Sequence, residues 1–200
     1  MKIAVSGSTG FVGSHLIESL RHEGHDITPL VREDFQHDEA TLADRIAGIE
    51  GIIHLAGAPL IKRWTKEHKK RIYHSRIDTT RMLVKAVKQM KEKPHFFIST
   101  SAIGIYSNDA TLEHTEDTYT YGNDFLAQIT KDWEAEALLI KPFTRMVIFR
   151  LGIVLGKNGG ALKQMLPIFK LGIGGKIGNG KQGFSWIHLK DLVKAYHFAV

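Results

Sequence analysis

The chain has 200 residues, of which 43% are hydrophobic and 24% are charged, and these values are typical of a folded globular protein rather than a disordered one. The absence of cysteine excludes disulfides and thiolate metal sites, and it fits a cytoplasmic location. No apolar stretch reaches the roughly 18 residues that a membrane span needs, and the first residues lack a signal-peptide pattern. We therefore expect a cytoplasmic protein that makes no membrane contact.

The net charge of +6 is concentrated between Lys62 and Arg76, where the Lys and Arg residues face a single Glu67. A basic excess favours phosphate-bearing partners, whereas a solvated helix face is the simpler interpretation of the same residues. No aromatic residues alternate with these charges in a nucleic-acid recognition pattern, so we expect no nucleic acid partner. No histidine pair has the carboxylate or thiolate neighbours of a metal site, so we also expect no metal.

Strand-like and helix-like segments alternate along the chain. Residues 2–5 predict a buried strand, and Gly13 to His22 predicts an amphipathic helix that Gly24 ends. A second strand is expected at residues 26–31, although its proline is unfavourable there. A helix is then predicted from an N-cap at Thr41 through Ala47, followed by a strand at 51–58. Two helices come next, a basic one capped by Thr65 and a longer one from Ile77 to Met90 that Pro94 closes. The last predicted elements before the composition changes are a strand at 95–100, a helix at 124–140 and a strand at 145–155.

This alternation predicts an α/β fold with parallel strands joined by right-handed crossovers, that is, a doubly wound sheet. After Leu151 the composition changes, because ten of the nineteen glycines lie between Gly152 and Gly183. We expect residues 1–151 to form a nucleotide-binding domain and residues 152–200 a small substrate lobe with a returning strand and helix. Because the chain stops within the last predicted helix, we expect this lobe to be incomplete.

Three glycines follow the first strand at a spacing of three. Gly7 suits a tight turn, Gly10 permits close approach of a ligand to the backbone, and Gly13 permits close packing of helix on strand. The free amides at the start of the helix suit a pyrophosphate. The position between a strand and an amphipathic helix therefore predicts a Rossmann-like dinucleotide site.

The end of the second strand bears on the choice of cofactor. An acid there binds a ribose 2′-hydroxyl, whereas an arginine accepts a 2′-phosphate. Arg32 comes first, so NADP(H) is favoured over NAD(H), but Glu33 and Asp34 follow directly and keep both alternatives open.

Several stretches resemble one family. SGSTGFVGSH, HLAGAP, STSAIGIY and WIHLKDLVKA are similar to the glycine loop, the fourth-strand and fifth-strand motifs and a late strand–helix element of extended short-chain dehydrogenases/reductases of the NAD(P)-dependent epimerase/dehydratase type. KRWT, SRIDTTRML, GGALKQMLP and LGIGGKIGNGKQGFSWIHL resemble an atypical "epimerase family protein" branch. The resemblance covers essentially the whole chain.

The resemblance implies roles for individual residues. It assigns the pyrophosphate to the glycine loop, the adenosine phosphate to Arg32 and the active-site serine position to Ser101, and it places Arg76 where an asparagine is common. The residues that it assigns to the cofactor are Gly7, Thr9, Gly10, Phe11, Val12, Gly13, Arg32, Leu55, Ala56, Gly57, Ala58, Arg76, Ser99 and Thr100.

The family's Tyr-x-x-x-Lys pair, which moves a proton and holds the nicotinamide ribose, is missing from this chain. Phe125 and Ile129 are expected to fill the two positions, and neither can transfer a proton. Tyr106, which follows the serine motif, is a candidate substitute acid, with a packed strand-end aromatic as the alternative. Asp124 and Lys131 are polar neighbours of the two positions, and the alternative role of Asp124 is to cap the following helix.

Two functional hypotheses remain open. The first is an oxidoreductase or epimerase that acts on a nucleotide sugar or a similar anionic small molecule, with Ser101 polarising the substrate oxygen. The second is a cofactor-binding sensor or scaffold without catalysis. By the same resemblance we expect a homodimer.

Overall fold

The structure, a computed structural model, describes residues 1–109, 111–176 and 178–200. The strands of its main sheet are β1 (Lys2–Ser6), β2 (Asp26–Leu30), β3 (Gly51–His54), β4 (Phe96–Ala102) and β5 (Arg145–Leu151). They are all parallel and lie in the order β2-β1-β3-β4-β5. The chain builds outward from β1 to β2 and then crosses back to β3, so the carboxyl ends of β1 and β3 form the switch point where α/β sheets bind ligands. The predicted fold class is confirmed.

Five helices cover the faces of this sheet. They are α1 (Phe11–His22), α2 (Glu39–Arg45), α3 (Lys66–Gln89), α4 (Phe125–Leu138) and α6 (Leu189–Ala199), whereas α5 (Gly160–Lys170) lies outside it. Alternate strand residues point to opposite faces, so Ala4 and Phe97 pack with α2 and α3, whereas Ile3 and Phe96 pack with α1 and α6. Within the described ranges, no helix combines the length and the apolar character needed to cross a membrane.

Two helix boundaries differ from the sequence prediction. Helix α2 is capped by Asp38, whose side chain accepts a hydrogen bond from the Thr41 amide at 2.8 Å, so the predicted cap at Thr41 is wrong by three residues. Thr65 caps α3 as predicted, but α3 continues without a break to Gln89. The basic first half of α3 and its apolar second half are therefore one helix, because nothing in the sequence between them breaks the hydrogen-bond ladder.

Gly152 divides the strand predicted at 145–155 into two. A side chain at Gly152 would lie 2.5 Å from the carbonyl oxygen of Ser185, and beyond it β6 (Ile153–Leu155) leaves the main sheet. Strand β6 pairs in parallel with β7 (Trp186–His188) in a separate two-stranded sheet. The predicted returning helix, α6, then packs against the main sheet, and α5 is a helix that the sequence analysis did not predict. The division at residue 151 stays a prediction.

Phe11 joins the start of α1 to the C-terminal lobe. A side chain at Gly156 would lie 2.9 Å from the Phe11 ring, one at Gly160 would lie 2.8 Å from it, and one at Gly159 would overlap it. Gly160 also has φ +59°, which favours glycine. The Phe11 ring therefore lies against a glycine-lined surface of the lobe.

Candidate functional site

The glycine loop between β1 and α1 has the geometry of an anion-binding turn. Gly7 has φ +69°, and a side chain there would lie 2.7 Å from the backbone of Leu55. A side chain at Gly13 would overlap the carbonyl oxygen of Gly7. Gly10 is the N-cap of α1 and has no side chain to satisfy the first helical amides, which stay free for a ligand.

A pocket of about 480 Å³ lies at the switch point between β1 and β3. Its walls come from four parts of the chain, which are the glycine loop, the turn after β2, the segment after β3 and one face of α3. The lining residues are Gly7, Ser8, Thr9, Gly10, Leu30, Val31, Arg32, Glu33, Phe35, Leu55, Ala56, Gly57, Ala58, Pro59, Ser75 and Thr79. Eight residues that the sequence analysis assigned to a cofactor are thus brought together: Gly7, Thr9, Gly10, Arg32, Leu55, Ala56, Gly57 and Ala58.

The turn after β2 offers the pocket both an arginine and an acid. Arg32 and Glu33 line it and are exposed. Asp34 does not, because its carboxylate accepts the amide of Val31 at 2.7 Å and lies 3.4 Å from the Arg45 guanidinium. Glu33 is therefore the acid that lines this end of the pocket, and Arg32 lies beside it.

The wall after β3 is supported by a buried hydrogen-bond chain. The Ser6 hydroxyl accepts the amides of Leu55 (3.2 Å) and Ala56 (3.3 Å) and donates its hydrogen to His54 Nδ1 at 2.5 Å. The other nitrogen, Nε2, then donates to the Thr80 hydroxyl at 2.9 Å. Burial lowers the pKa of His54 to about 3, so the ring is neutral. The Thr80 hydroxyl donates its own hydrogen to the Arg76 carbonyl oxygen at 2.6 Å, so it accepts from Nε2, and this fixes the direction of the chain.

Arg76 lies behind the same wall and does not itself line the pocket. Its Nη1 donates to the carbonyl oxygens of Ala58 (3.1 Å) and Ile72 (3.2 Å). A side chain at Gly57 would lie 2.9 Å from its Cζ. Burial lowers the pKa of Arg76 to about 10, and its charge is the second cause, after burial, of the lowered pKa of His54.

The remaining residues assigned to the cofactor lie away from the pocket lining. Ser99 is buried, and the Thr100 hydroxyl hydrogen-bonds the Tyr196 hydroxyl of α6 at 2.7 Å. Burial raises the pKa of Tyr196, which keeps that phenol protonated. The Phe11 ring faces the lobe and Val12 packs in the core, so any contact that either makes with a pyrophosphate is through its backbone. The roles assigned to these side chains stay predictions.

Ser101 belongs to a buried ionic cluster at the carboxyl ends of β4 and β5. Its hydroxyl donates to Glu134 Oε1 at 2.5 Å. Glu134 is paired bidentately with Arg150, through Nε–Oε1 and Nη2–Oε2 distances of 2.9 Å each. The hydrogen bonds that Arg150 donates to Glu134 raise the pKa of Arg150 above its ordinary value. The single hydroxyl hydrogen of Ser101 is thus directed at a carboxylate in this structure.

Tyr106 is attached to the same cluster in a different way. Its hydroxyl oxygen accepts a hydrogen bond from Arg150 Nη1 at 3.2 Å, so its own hydrogen remains free for another acceptor. The ring stacks on His114 with centroids 5.2 Å apart, and Tyr119, whose hydroxyl accepts from Arg150 at 2.9 Å, packs edge-on against it. The Tyr106 side chain is therefore half-buried and fixed by these contacts, and its hydroxyl can still donate a hydrogen bond.

Phe125 and Ile129, the residues expected to fill the positions of the missing pair, lie on the side of α4 that packs against α3, and their assignment to those positions stays a prediction. Ile129 packs with Ile72 of α3, and Phe125 lies against the same cluster. Leu126, Thr130 and Glu134 are residues of α4 that face β4 and the turn after it. Asp124 caps α4 by accepting the Ala127 amide at 2.8 Å, as its alternative interpretation predicted, and the Lys131 ammonium lies 4.5 Å from the centroid of the Tyr121 ring.

Sequence reasoning missed the ionic cluster and the hydrogen-bond chain behind the wall. A signal for the first was present, because Arg150 interrupts a β-branched strand and Glu134 lies in an amphipathic helix. Charged residues in such apolar positions are buried only when they are paired. His54 lies at the end of a fully apolar strand, and this was a similar signal for the buried hydrogen-bond chain.

Comparison with known proteins gives one consistent result. The sequence model of the NAD dependent epimerase/dehydratase family matches residues 3–200. An epimerase family protein of Staphylococcus epidermidis is 37% identical over an alignment of 207 positions, gaps included, which spans 98% of this chain and 69% of that protein. The chain is similarly 35% identical to human epimerase family protein SDR39U1, over 96% of this chain and 68% of the human protein.

Solved structures agree with the sequence comparison. The crystal structure of human epimerase family protein SDR39U1 (isoform 2) with NADPH has a TM-score of 0.90 and 33% identity, covering 100% of this chain and 70% of that one. A nucleoside-diphosphate sugar epimerase from Corynebacterium glutamicum has a TM-score of 0.83 and 31% identity, covering 100% of this chain and 43% of that one. With its parallel sheet and glycine loop, the chain belongs to the NAD dependent epimerase/dehydratase family.

Proposed function

We propose that this protein binds NADP(H) in the 480 Å³ pocket and acts as an oxidoreductase or epimerase on an anionic small molecule. The observation that carries the proposal is the pocket itself, with the uncapped amides that follow Gly10 at the start of α1 on one side and Arg32 at the turn after β2 on the other. The similarity to a human protein crystallised with NADPH supports the same cofactor class.

The residues present fit a dinucleotide. Gly7 and Gly13 keep side chains out of the cradle, so a pyrophosphate can approach the amides at the start of α1. Ser6 and His54 fix the wall segment 55–56 from behind. The cofactor, when bound, supplies hydride transfer, and the protein supplies binding, orientation and the proton.

Replacing Arg32 by alanine should weaken NADPH binding by about 10- to 100-fold and change NADH binding little, because a charge-assisted hydrogen bond to a 2′-phosphate contributes about 1.5–3 kcal/mol. Isothermal titration with both cofactors measures this directly. The matched variant is Glu33→Ala, which removes the neighbouring acid and should weaken NADH more than NADPH. Equal losses of both cofactors in Arg32→Ala would refute the 2′-phosphate assignment.

Tyr106 is the side chain that best fits the role of proton donor. Arg150 holds its oxygen and leaves its hydrogen free, whereas the hydrogen of Ser101 is directed at Glu134. A phenol of this kind can give a proton to a substrate oxygen that becomes an alkoxide. The roles proposed here are thus Tyr106 as acid and Ser101 as a hydrogen-bond acceptor toward substrate.

Stopped-flow oxidation of bound NADPH by a panel of nucleotide keto-sugars, whose carbonyl carbon accepts the hydride while the oxygen takes a proton, should detect turnover in the wild type. Tyr106→Phe should lower that rate by about 10²- to 10⁴-fold while leaving NADPH affinity unchanged, because it removes only the proton donor. Tyr121→Phe is the control, since Tyr121 is exposed and, among the residues that the structure describes, its hydroxyl hydrogen-bonds only that of Tyr119, at 3.4 Å. A rate in Tyr106→Phe equal to that of the control would remove Tyr106 from the mechanism.

The second candidate function is a cofactor-binding sensor or scaffold. It is favoured by one observation, that Phe125 and Ile129 pack against α3 and supply no proton-transferring group. Binding of NADPH without turnover of any nucleotide sugar in the same panel would support this second candidate over the enzyme.

A further inference from the structure

Arg76 is a cation with an incomplete set of partners. Of its five N–H donors, those on Nη1 reach the carbonyl oxygens of Ala58 and Ile72. Within the described ranges, no carboxylate lies within 4 Å of its guanidinium, and Nε and Nη2 have no acceptor among those residues. Burial lowers its pKa only to about 10, so the group stays charged at neutral pH. An unpaired, half-buried charge costs free energy and is kept in a protein when something else uses it.

The free edge of this guanidinium faces Gly57 in the pocket wall. A side chain at Gly57 would lie 3.0 Å from Nη2 and 3.3 Å from Nε, the two nitrogens that lack acceptors. Gly57 is exposed and lines the pocket. Since this residue carries no side chain, only its backbone stands beside the cation at that point of the wall.

A second donor without a partner lies next to Arg76. The Trp133 side chain is only 5% exposed, and in the part of the chain that the structure describes its Nε1 has no hydrogen-bond partner. The Arg76 Cζ is 5.4 Å from the Trp133 ring centroid. The guanidinium edge and the indole N–H are thus two neighbouring sets of donors without an acceptor among the described residues.

We propose that Arg76 is an anion-binding residue, whose Nε–Nη2 edge binds a phosphate or carboxylate group of a ligand at the Gly57 side of the pocket. The inference rests on the proposed binding function of the same pocket and adds the class of group recognised there. Two sources supply that chemistry, namely the cofactor's own phosphates and an anionic second ligand. Planar, paired donors of this kind suit the two oxygens of such a group.

The test begins with titration of the wild type with NADPH, which decides the proposed function separately. In the first arm, Arg76→Gln is titrated with NADPH, and a loss of affinity of at least about tenfold places the anion on the cofactor. In the second arm, NADPH-saturated wild type and Arg76→Gln are titrated with inorganic phosphate, followed by ³¹P NMR and tryptophan fluorescence. Phosphate binding that is lost by about tenfold or more in the variant places the anion on a second ligand.

Two further variants keep the inference falsifiable if Arg76→Gln folds poorly. Arg76→Lys keeps the charge and should recover part of the affinity in the arm that responds. Gly57→Ala keeps the arginine but covers its free edge with a methyl group, and it should reproduce the loss. If the wild type binds NADPH and all three variants match it in both arms, the inference is wrong. A lowered melting temperature of the ligand-free variants with unchanged affinities makes Arg76 a structural residue and equally overturns it.

Discussion

Gly13→Ala should reduce NADPH affinity by about 100-fold or more and destabilise the fold by about 1–3 kcal/mol. A methyl group at this position overlaps the carbonyl oxygen of Gly7, which is backbone and cannot rotate away. The loop must then move from α1, and the ligand loses charge-assisted bonds to the helix amides that are each worth about 1.5–3 kcal/mol. Isothermal titration and urea unfolding measure the two effects.

Gly24→Ala is the matched control for this prediction, because it changes the glycine at the other end of the same helix. Gly24 has φ +85°, but among the described residues, its two chain neighbours apart, no atom lies within 4 Å of an added side chain. Alanine there should therefore cost only backbone strain, about 1–2 kcal/mol, and leave NADPH affinity unchanged. If the two variants bind NADPH equally well, close contact between Gly13 and Gly7 is not what shapes the site.

Glu134→Ala should lower the free energy of unfolding by about 3–5 kcal/mol, the cost of leaving one charge of a buried pair without its partner. The side chains of Glu134 and Arg150 are only 8% and 16% exposed, and the variant also removes the acceptor of Ser101. Urea unfolding of the ligand-free protein gives the value.

Glu136→Ala is the control, two residues further along the same helix. Glu136 also pairs with an arginine, Arg81 at 2.6 Å, but the arginine is 45% exposed, so this loss should be about 0–1 kcal/mol. The double variant Glu134→Leu/Arg150→Met removes both charges and should recover most of the stability that Glu134→Ala loses. Equal losses of unfolding free energy in Glu134→Ala and Glu136→Ala would show that burial of the Glu134–Arg150 pair does not increase its contribution to stability.

The parts of the fold that followed from the sequence depend on short-range patterns. The strand at residues 2–6 and the glycines at 7, 10 and 13 lie within one βα unit, so spacing alone places them together. Parallel strands buried on both faces are continuous apolar runs, which explains why the starts of β3 and β4 were predicted to within one residue, although the strand predicted at 51–58 ends at His54. The predicted start of α2 was three residues too late because Asp38 and Thr41 are both acceptable caps. Only the packing of Leu42 and Ile46 decides between them.

The parts that escaped prediction join residues far apart in the chain. Ser101, Glu134 and Arg150 come from three elements and meet only because β4 and β5 are neighbours and α4 crosses between them. The break at Gly152 depends on contact with Ser185, which no local pattern contains. The face of α4 that meets β4 likewise depends on packing between distant segments, and helical periodicity alone does not fix a helix face to a single residue.

The contact of Phe11 with Gly156, Gly159 and Gly160 limits how this molecule can diverge. Its benzyl group occupies the volume that three absent side chains leave, so bulk cannot be added on one side unless it is removed on the other. Which substitutions the lobe can accept at these glycines therefore depends on the residue at position 11, the first of α1 and directly beside the glycine turn. A lineage that acquired a larger residue at position 159 would first have to shrink position 11.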